Sequence, residues 1–349
     1  MDQPRWKHRP AGSNWGDFGP DDQRGRLNLI TTEKVLQGIR EVRDGRSFCL
    51  SLPLDYPGGN AINPRRFPPV IRPTLRGKVP NSNYQLHADQ PGATDVINDD
   101  LVVLHTHYST QWDALSHIGQ MFDADGDGAP EPVFYNGFRA GEDVRGSSSA
   151  ADAGAFGTIS PHSTSNAARL GIDVMAETCV QGRAVMIDLH AHFGDIAKIV
   201  SYDDLRRVME ADGAIVETGD MVCLHTGYAE LLLGMDKSPD TGRLATACAL
   251  DGRDERLLEW ITDSGLSVLV ADNVAVEVMP ATSACRCSAA LPLHEHCLFK
   301  LGIHLGEFWH LTPLARYLRA QGRSRFLLTA PPIRLPGAVG APTCPVGTV

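Results

Sequence analysis

Short apolar runs that alternate with helix-patterned stretches constrain the fold of this chain more than any other feature. Residues 101–105, 184–189, 221–225, 266–271 and 326–329 are apolar segments of strand length. Residues 202–211, 253–264, 293–301 and 311–321 read as helices. Residues 31–43 read as another, with Thr32 the expected N-cap and Val35, Ile39 and Val42 recurring at helical spacing. Buried strands alternating with helices give an α/β fold. The alternation has the same character on both sides of a Ser- and Ala-rich tract at 146–168, which reads as a mobile loop and not as a domain boundary. The expectation is one domain over 1–349, with an irregular N-terminal arm at 1–20 and a C-terminal tail at 330–349. The Pro-, Gly- and Arg-rich stretch 57–80 reads as a long loop, a kind of segment that often carries function.

Composition narrows the partners. With 42% hydrophobic residues, a chain of 349 can bury a sizeable core. Its net charge of −10 repels phosphate backbones, and no Lys/Arg-rich run offsets it, so nucleic acid is not an expected partner. No stretch approaches the ~18 apolar residues that span a bilayer, and the N-terminus lacks the apolar core of a secretory signal. No membrane partner is expected, and the expected location is the cytoplasm. The eight cysteines include no C-x-x-C pair. Cys285 and Cys287, one residue apart, are poorly spaced for a zinc knuckle, and the thiols read as free. No glycine-rich phosphate loop is present, so no nucleotide cofactor is implied.

The chemistry concentrates in one place. His105, His107, Asp113 and His117 fall within thirteen residues, directly after an expected strand. Side chains leaving a strand end can converge on a ligand. Imidazole and carboxylate form the donor set for a zinc- or manganese-type ion, and the Gln111 carboxamide oxygen would suit a harder ion. From spacing alone, a metal site and a group of unrelated polar side chains both stay open.

This stretch resembles the signature of the metal-dependent cyclase family, which includes bacterial kynurenine formamidases and isatin hydrolases. The signature runs His-x-Gly-Thr-His-x-Asp-x-x-x-His. His107, Ser109, Thr110, Gln111, Asp113 and His117 stand in that frame, with Ser109 in place of Gly and Gln111 in place of the second His. The form Thr-Gln-Trp-Asp-Ala is similar to that of a longer branch of the family. The resemblance extends to Trp15-Gly16, the segment 21–30, Tyr135-Asn-Gly137, the segments 182–188 and 219–227, and 293–303 followed by Gly306-Glu307.

The resemblance implies an α/β fold of the swivelling β/β/α type, a single domain with a mixed sheet and flanking helices. It implies that His107 and Asp113 ligate metal, that Gln111 occupies a further ligand position, and that His294 and Glu307 complete the site, with His296 a rival to His294. His117 takes the place of the acid/base histidine. One divalent ion, Zn or Mn, is the implied cofactor; the missing imidazole at position 111 weighs against a second ion and towards Mn. A homo-oligomer, dimer or tetramer, is implied, with residues 6–20 and 57–80 as candidate contacts.

Such an ion would serve hydrolysis of an amide, cyclic amide, imide or lactone in a small-molecule substrate. If the chain turns helical after Asp113, Asp113 and His117 share one face. Two other function classes remain: a cyclase or dehydratase using the same metal, and a non-catalytic binding protein. Trp112, Phe122, Phe134, Tyr135 and Phe138 form either an apolar substrate pocket or plain core. Trp112, Tyr135 and His225 are the candidate substrate contacts, and a satisfied core histidine is the alternative for His225. The D-x-H-x-H run Asp188, His190, His192 resembles the opening of a barrel amidohydrolase, but too few residues follow it for a ~250-residue barrel. Residues 123–128 resemble the start of a calcium loop, yet position twelve is Phe134 where a Glu is required, so a tight Asp/Gly turn is preferred.

Overall fold

The computed structural model describes residues 5–154, 162–281 and 288–349. Cys285, Cys287 and part of the Ser- and Ala-rich tract lie outside the described residues. Nine strands form one sheet: Ser47–Cys49 (β1), Gln111–Asp113 (β2), Gln181–Asp188 (β3), Met221–His225 (β4), Val268–Ala271 (β5), His304–Glu307 (β6), Arg325–Thr329 (β7), Gly340–Pro342 (β8) and Val346–Thr348 (β9). Their spatial order is β1-β9-β7-β3-β4-β5-β6-β2-β8. The middle run β3-β4-β5-β6 is parallel, and every pairing outside it is antiparallel. The fold is therefore α/β with a mixed sheet and flanking helices.

The parallel strands read as continuous apolar runs because both of their faces are covered. On one face Ile187, Leu224, Leu269 and Leu305 meet the helices Tyr202–Asp212, Glu255–Asp263 and Pro292–His294, the last continuing as a π-helix over Glu295–Leu301. On the other face Met186, Cys223 and Val270, joined by Leu328 of β7, share a core with Leu314 and Leu318 of helix Thr312–Ala320. Helix Glu255–Asp263 shows which force holds these elements. The Asp254 side chain caps it, a contribution of about 0.5–2 kcal/mol. Leu257 and Ile261 on its inner face are fully buried, about 1.5–3 kcal/mol each, so packing outweighs capping.

The N-terminal helix spans Thr32–Arg40, and Thr31, not Thr32, caps it by accepting from the Lys34 amide. It does not bury its apolar stripe. Lys34 and Gly38 face inward, while Leu36 and Ile39 are exposed. Two contacts select this rotation. Lys34 Nζ pairs with buried Asp220 at 2.9 Å, and Gly38 lies so close to Gly182 that a Cβ there would meet its carbonyl carbon at 2.7 Å.

Three further expectations are corrected. The 101–105 run forms a strand at Asp100–Val103, but outside the sheet: it pairs with Val70–Pro73 in an exposed ribbon. The expected loop 57–80 thus supplies half of an arm that also carries the ribbons Leu75–Arg76 with Val79–Pro80 and Tyr84–Gln85 with Val96–Ile97. Residues 330–349 are no tail, because they contribute β8 and β9 to the sheet. The N-terminal arm is anchored by Trp15, which is buried, stacks edge-on against Phe299 and donates from Nε1 to the Phe299 carbonyl at 2.7 Å. Among the described residues, no helix is long and apolar enough to cross a membrane.

Candidate metal centre

Strand β2 builds the site. It lies between β6 and β8, with Asp113 opposite Leu305 and Gly340, and Gln111 opposite Glu307 and Pro342. Side chains alternate along a strand, so Gln111 and Asp113 share one face and Trp112 takes the other. Glu307, directly across from Gln111, projects to the same face as Gln111. The strand's entry is fixed by Thr110, whose hydroxyl donates to the Phe308 carbonyl and accepts from the Leu52 amide.

His107 reaches the cluster from the turn before β2. Its Nε2 lies against Gly340, where a Cβ would come within 2.1 Å of it; only glycine leaves room for the ring. Beyond β2 the chain turns once, with the His117 amide donating to the Ala114 carbonyl, and does not become an α-helix. The His117 ring stacks on His107 with centroids 4.2 Å apart. His294 arrives from the far end of the chain. Buried Glu277 holds it there, accepting from the Leu293 amide, the His294 amide and His294 Nδ1 at 3.0, 3.1 and 2.8 Å.

Three pairs of donor atoms stand at the spacing of ligands that share an ion. His107 Nε2 is 3.5 Å from Asp113 Oδ1, His294 Nε2 is 3.8 Å from Asp113 Oδ2, and His294 Nε2 is 3.4 Å from Glu307 Oε1. Two donors each ~2.1 Å from one tetrahedral ion stand ~3.4 Å apart. His107 Nε2, Asp113 Oδ2 and Gln111 Oε1 are buried with no hydrogen-bond partner, a costly state that a cation would relieve. Two overlapping groups, His107–Asp113–His117 and Asp113–His294–Glu307, each bring ligand atoms within 4.8 Å of one another. The donor set thus fits a divalent ion. Gln111 has a second role beside the expected one: its amide nitrogen donates to Glu307 Oε2 at 2.9 Å and to Asp113 Oδ1 at 3.4 Å, bridging the two carboxylates.

The electrostatics follow from burial. Burial drives His107 down to about 3, with the field of His117 adding to it. Burial also lowers His117, against the opposing pull of Asp113, so that ring is neutral at pH 7. For Asp113, burial works against the charge, but His117, His107 and His294 outweigh it and hold the carboxyl below its ordinary range. Glu307 is pushed up to about 7 by burial and by Asp113 beside it. Burial opposes the charge on His294 too, yet the bond to Glu277 and the nearness of Glu307 lift it to about 10.

Other candidate residues lie elsewhere. Trp112 is fully buried on the opposite face of the sheet, donating from Nε1 to the Ala330 carbonyl and packing edge-on against Trp309; it is a core residue, not a substrate contact. Tyr135 is likewise in the core, with its hydroxyl facing Asp22 and its ionisation suppressed by burial. Phe138 joins it there. His225 is buried with Nδ1 on Asp188 at 2.7 Å and Nε2 on Thr312 at 3.0 Å, which leaves neither nitrogen for a substrate. His296 bonds Thr262 and His105 turns to Phe67. His190 and His192 pair with Asp195 and Asp212 from a short helix. Asp123 accepts from the amides of Gly126, Asp127 and Gly128 in a tight turn, and Arg139 pairs with Asp125 and Glu131.

Two site residues escaped the sequence. Glu277 lies in no recognisable motif, and only its contact with His294 reveals it. Arg66, in the stretch 57–80, donates from Nη1 to the His107 carbonyl at 2.8 Å and lines a narrow crevice together with His107, Tyr108 and Phe308.

Comparison with known proteins agrees with this architecture. A search of the curated proteins finds no match. Among solved structures, the crystal structure of a novel cyclase is 29% identical with a TM-score of 0.71 and 97% of each chain covered. Isatin hydrolase A from Ralstonia solanacearum shares the fold at 14% identity, with a TM-score of 0.52 over 86% of this chain and 91% of its own. Isatin hydrolase A from Labrenzia aggregata does so at 11% identity, with a TM-score of 0.53 over 86% and 93%. The family model described as "Putative cyclase" matches residues 50–278, a span that includes the whole β2 segment and Glu277, and the chain belongs to that family.

Proposed function

We propose that the protein is a metal-dependent hydrolase that opens an amide, cyclic amide, imide or lactone bond of a small molecule. The observation that carries this reading is the convergence of two ligand groups on Asp113, His107–Asp113–His117 and Asp113–His294–Glu307, with buried polar atoms left unpaired. Asp113, His294 and Glu307, with His107 on the other side of Asp113, would hold a zinc or manganese ion, and Gln111 would keep the two carboxylates in place. A bound divalent ion supplies polarisation of the substrate carbonyl and acidification of water.

The chain's own residues supply the rest. Glu277 accepts from His294 Nδ1 and so directs Nε2 at the centre, the usual role of a carboxylate behind a metal-binding histidine. His117 stacks beside His107 and is neutral at pH 7. It can take a proton from the attacking water and return it to the leaving nitrogen or oxygen, worth about 10²–10⁴ in rate. The exposed arm supports a second part of the proposal, assembly into a homo-oligomer. Ile71 and Val102 are 68% and 51% exposed and sit directly across the ribbon from each other. A lone two-stranded ribbon is marginal in water, and a second copy would cover this one.

The test begins with elemental analysis of protein purified without added metal, beside Asp113→Ala. Near-stoichiometric zinc or manganese that disappears in the variant is the expected result and opens a screen of formamides, cyclic imides and lactones. Product made in ¹⁸O-labelled water then separates hydrolysis, which incorporates the label, from cyclisation or dehydration, which does not. Absence of metal after reconstitution would overturn the reading.

A further inference from the structure

Cys223, Cys248 and Cys297 are buried, and burial raises each of these thiols above its ordinary range, which leaves them unreactive. Cys49 and Cys344 differ. Both are exposed, and their Sγ atoms stand 3.9 Å apart although the two residues are 295 positions apart in the chain. Among the described residues they are the only thiols in contact; Cys179 is also exposed but lies beside no other thiol.

Sheet register brings the pair together. Cys49 ends β1 opposite Val346 of β9, and the Leu50 amide donates to the Pro345 carbonyl at 2.9 Å. One step further, this register sets Ser51 opposite Cys344. Cys49 and Ser51 share a face of the chain, so Cys344 is the diagonal neighbour of Cys49 on that face. The Ser51 hydroxyl lies 3.6 Å from each sulfur. A disulfide needs ~2.05 Å between sulfurs, so each has about 1 Å to travel, a distance that side-chain rotation supplies. The backbone can also adjust here, because β1 is an edge strand with β9 as its one sheet neighbour. The Ser51 amide, its hydroxyl and the Cys344 thiol stabilise the Cys49 thiolate and hold its pKa below the ordinary thiol range, which marks Cys49 as the attacking sulfur.

We propose that Cys49 and Cys344 form a reversible dithiol–disulfide site that staples edge strand β1 to β9, with a small-molecule disulfide as oxidant. The Cys49 thiolate attacks one sulfur of that disulfide and releases a thiolate. The Cys344 thiolate then attacks Cys49 Sγ and releases the second. Two protein thiols become one disulfide, the small disulfide is reduced to two thiols, and the two protons pass from the protein thiols to the departing thiolates. The staple has a physical consequence. β1 and β9 are three residues each, and a bridge between positions so distant in the chain removes freedom from the unfolded state. The inference is independent of the metal reading.

The test equilibrates the full chain with oxidised glutathione, blocks remaining thiols with iodoacetamide and maps the peptides by mass spectrometry. The expected product is one cross-linked peptide pair containing Cys49 and Cys344, two hydrogens lighter than the sum of its parts and separated again by dithiothreitol. Cys344→Ser should stop at the mixed disulfide, with glutathione on Cys49. The oxidised protein should melt about 5 °C above the reduced one, and Cys344→Ser should show no such gain. Glutathione carried separately on Cys49 and Cys344, with no cross-linked pair, would overturn the site. A cross-linked pair without a gain in melting temperature would overturn the staple. Peptide mapping of the wild-type chain decides the first point even if a variant fails to fold.

Discussion

Metal uptake should release protons in a number that changes with pH, and the structure sets that number. Two groups at the centre carry protons near neutrality before an ion enters: His294, lifted to about 10, and Glu307, raised to about 7. His107, at about 3, and Asp113, held low, have none to lose. A metal needs the free His294 Nε2 and an ionised Glu307, so both protons must leave, and affinity rises with pH. Release should be about two protons at pH 6, about 1.5 at pH 7 and about one at pH 8. Between pH 6 and pH 8 the His294 proton contributes about two decades of affinity and the Glu307 proton about one, together about 4 kcal/mol at 1.36 kcal/mol per decade. Calorimetric titration of zinc into chelator-treated protein, repeated in buffers of different ionisation enthalpy, counts these protons directly. An affinity that is flat from pH 6 to pH 8, or zero proton release at pH 8, would refute the assignment of His294 and Glu307 as ligands that are protonated without the ion.

Substitutions separate the roles at the centre. His117→Ala should retain metal and lose about 10²–10⁴ in kcat, as checked by elemental analysis beside turnover on whichever substrate the screen yields. Gly340→Ala would bring a Cβ within 2.1 Å of His107 Nε2. It should cost about 1–3 kcal/mol of stability as an overpacked contact and lower metal affinity as well, which denaturant melts and zinc titration report separately. Trp112→Phe leaves the Ala330 carbonyl unpaired in the core and should destabilise by about 1–3 kcal/mol with KM unchanged; a raised KM would return Trp112 to the substrate pocket.

The legible part of this protein is its local and repetitive part. The apolar runs at 184–189, 221–225, 266–271 and 326–329 each became a strand of the sheet, the first three because a parallel strand covered on both faces must be apolar throughout. The His107–His117 segment stood out because its polar groups are close in sequence, and the family resemblance tied His294 and Glu307 to it. What stayed hidden depends on partners distant in the chain. The 101–105 run has a strand's composition, but which strand it joins depends on whether Val70–Pro73 or the sheet is available to it. Residues 330–349 lack a long apolar run, yet β8 and β9 find edges to complete. Trp112 lies between two site residues in sequence and on the opposite face from them in space, since the β2 segment is a strand and not a loop. Glu277 and Arg66 acquire meaning only from the His294 Nδ1 and the His107 carbonyl they touch. Periodicity and residue type were enough for the α/β class, and motif spacing for the donor set. Which donors face one another came from the folded chain, because hydrogen bonds and ion contacts act over a few ångströms and the fold alone sets those distances.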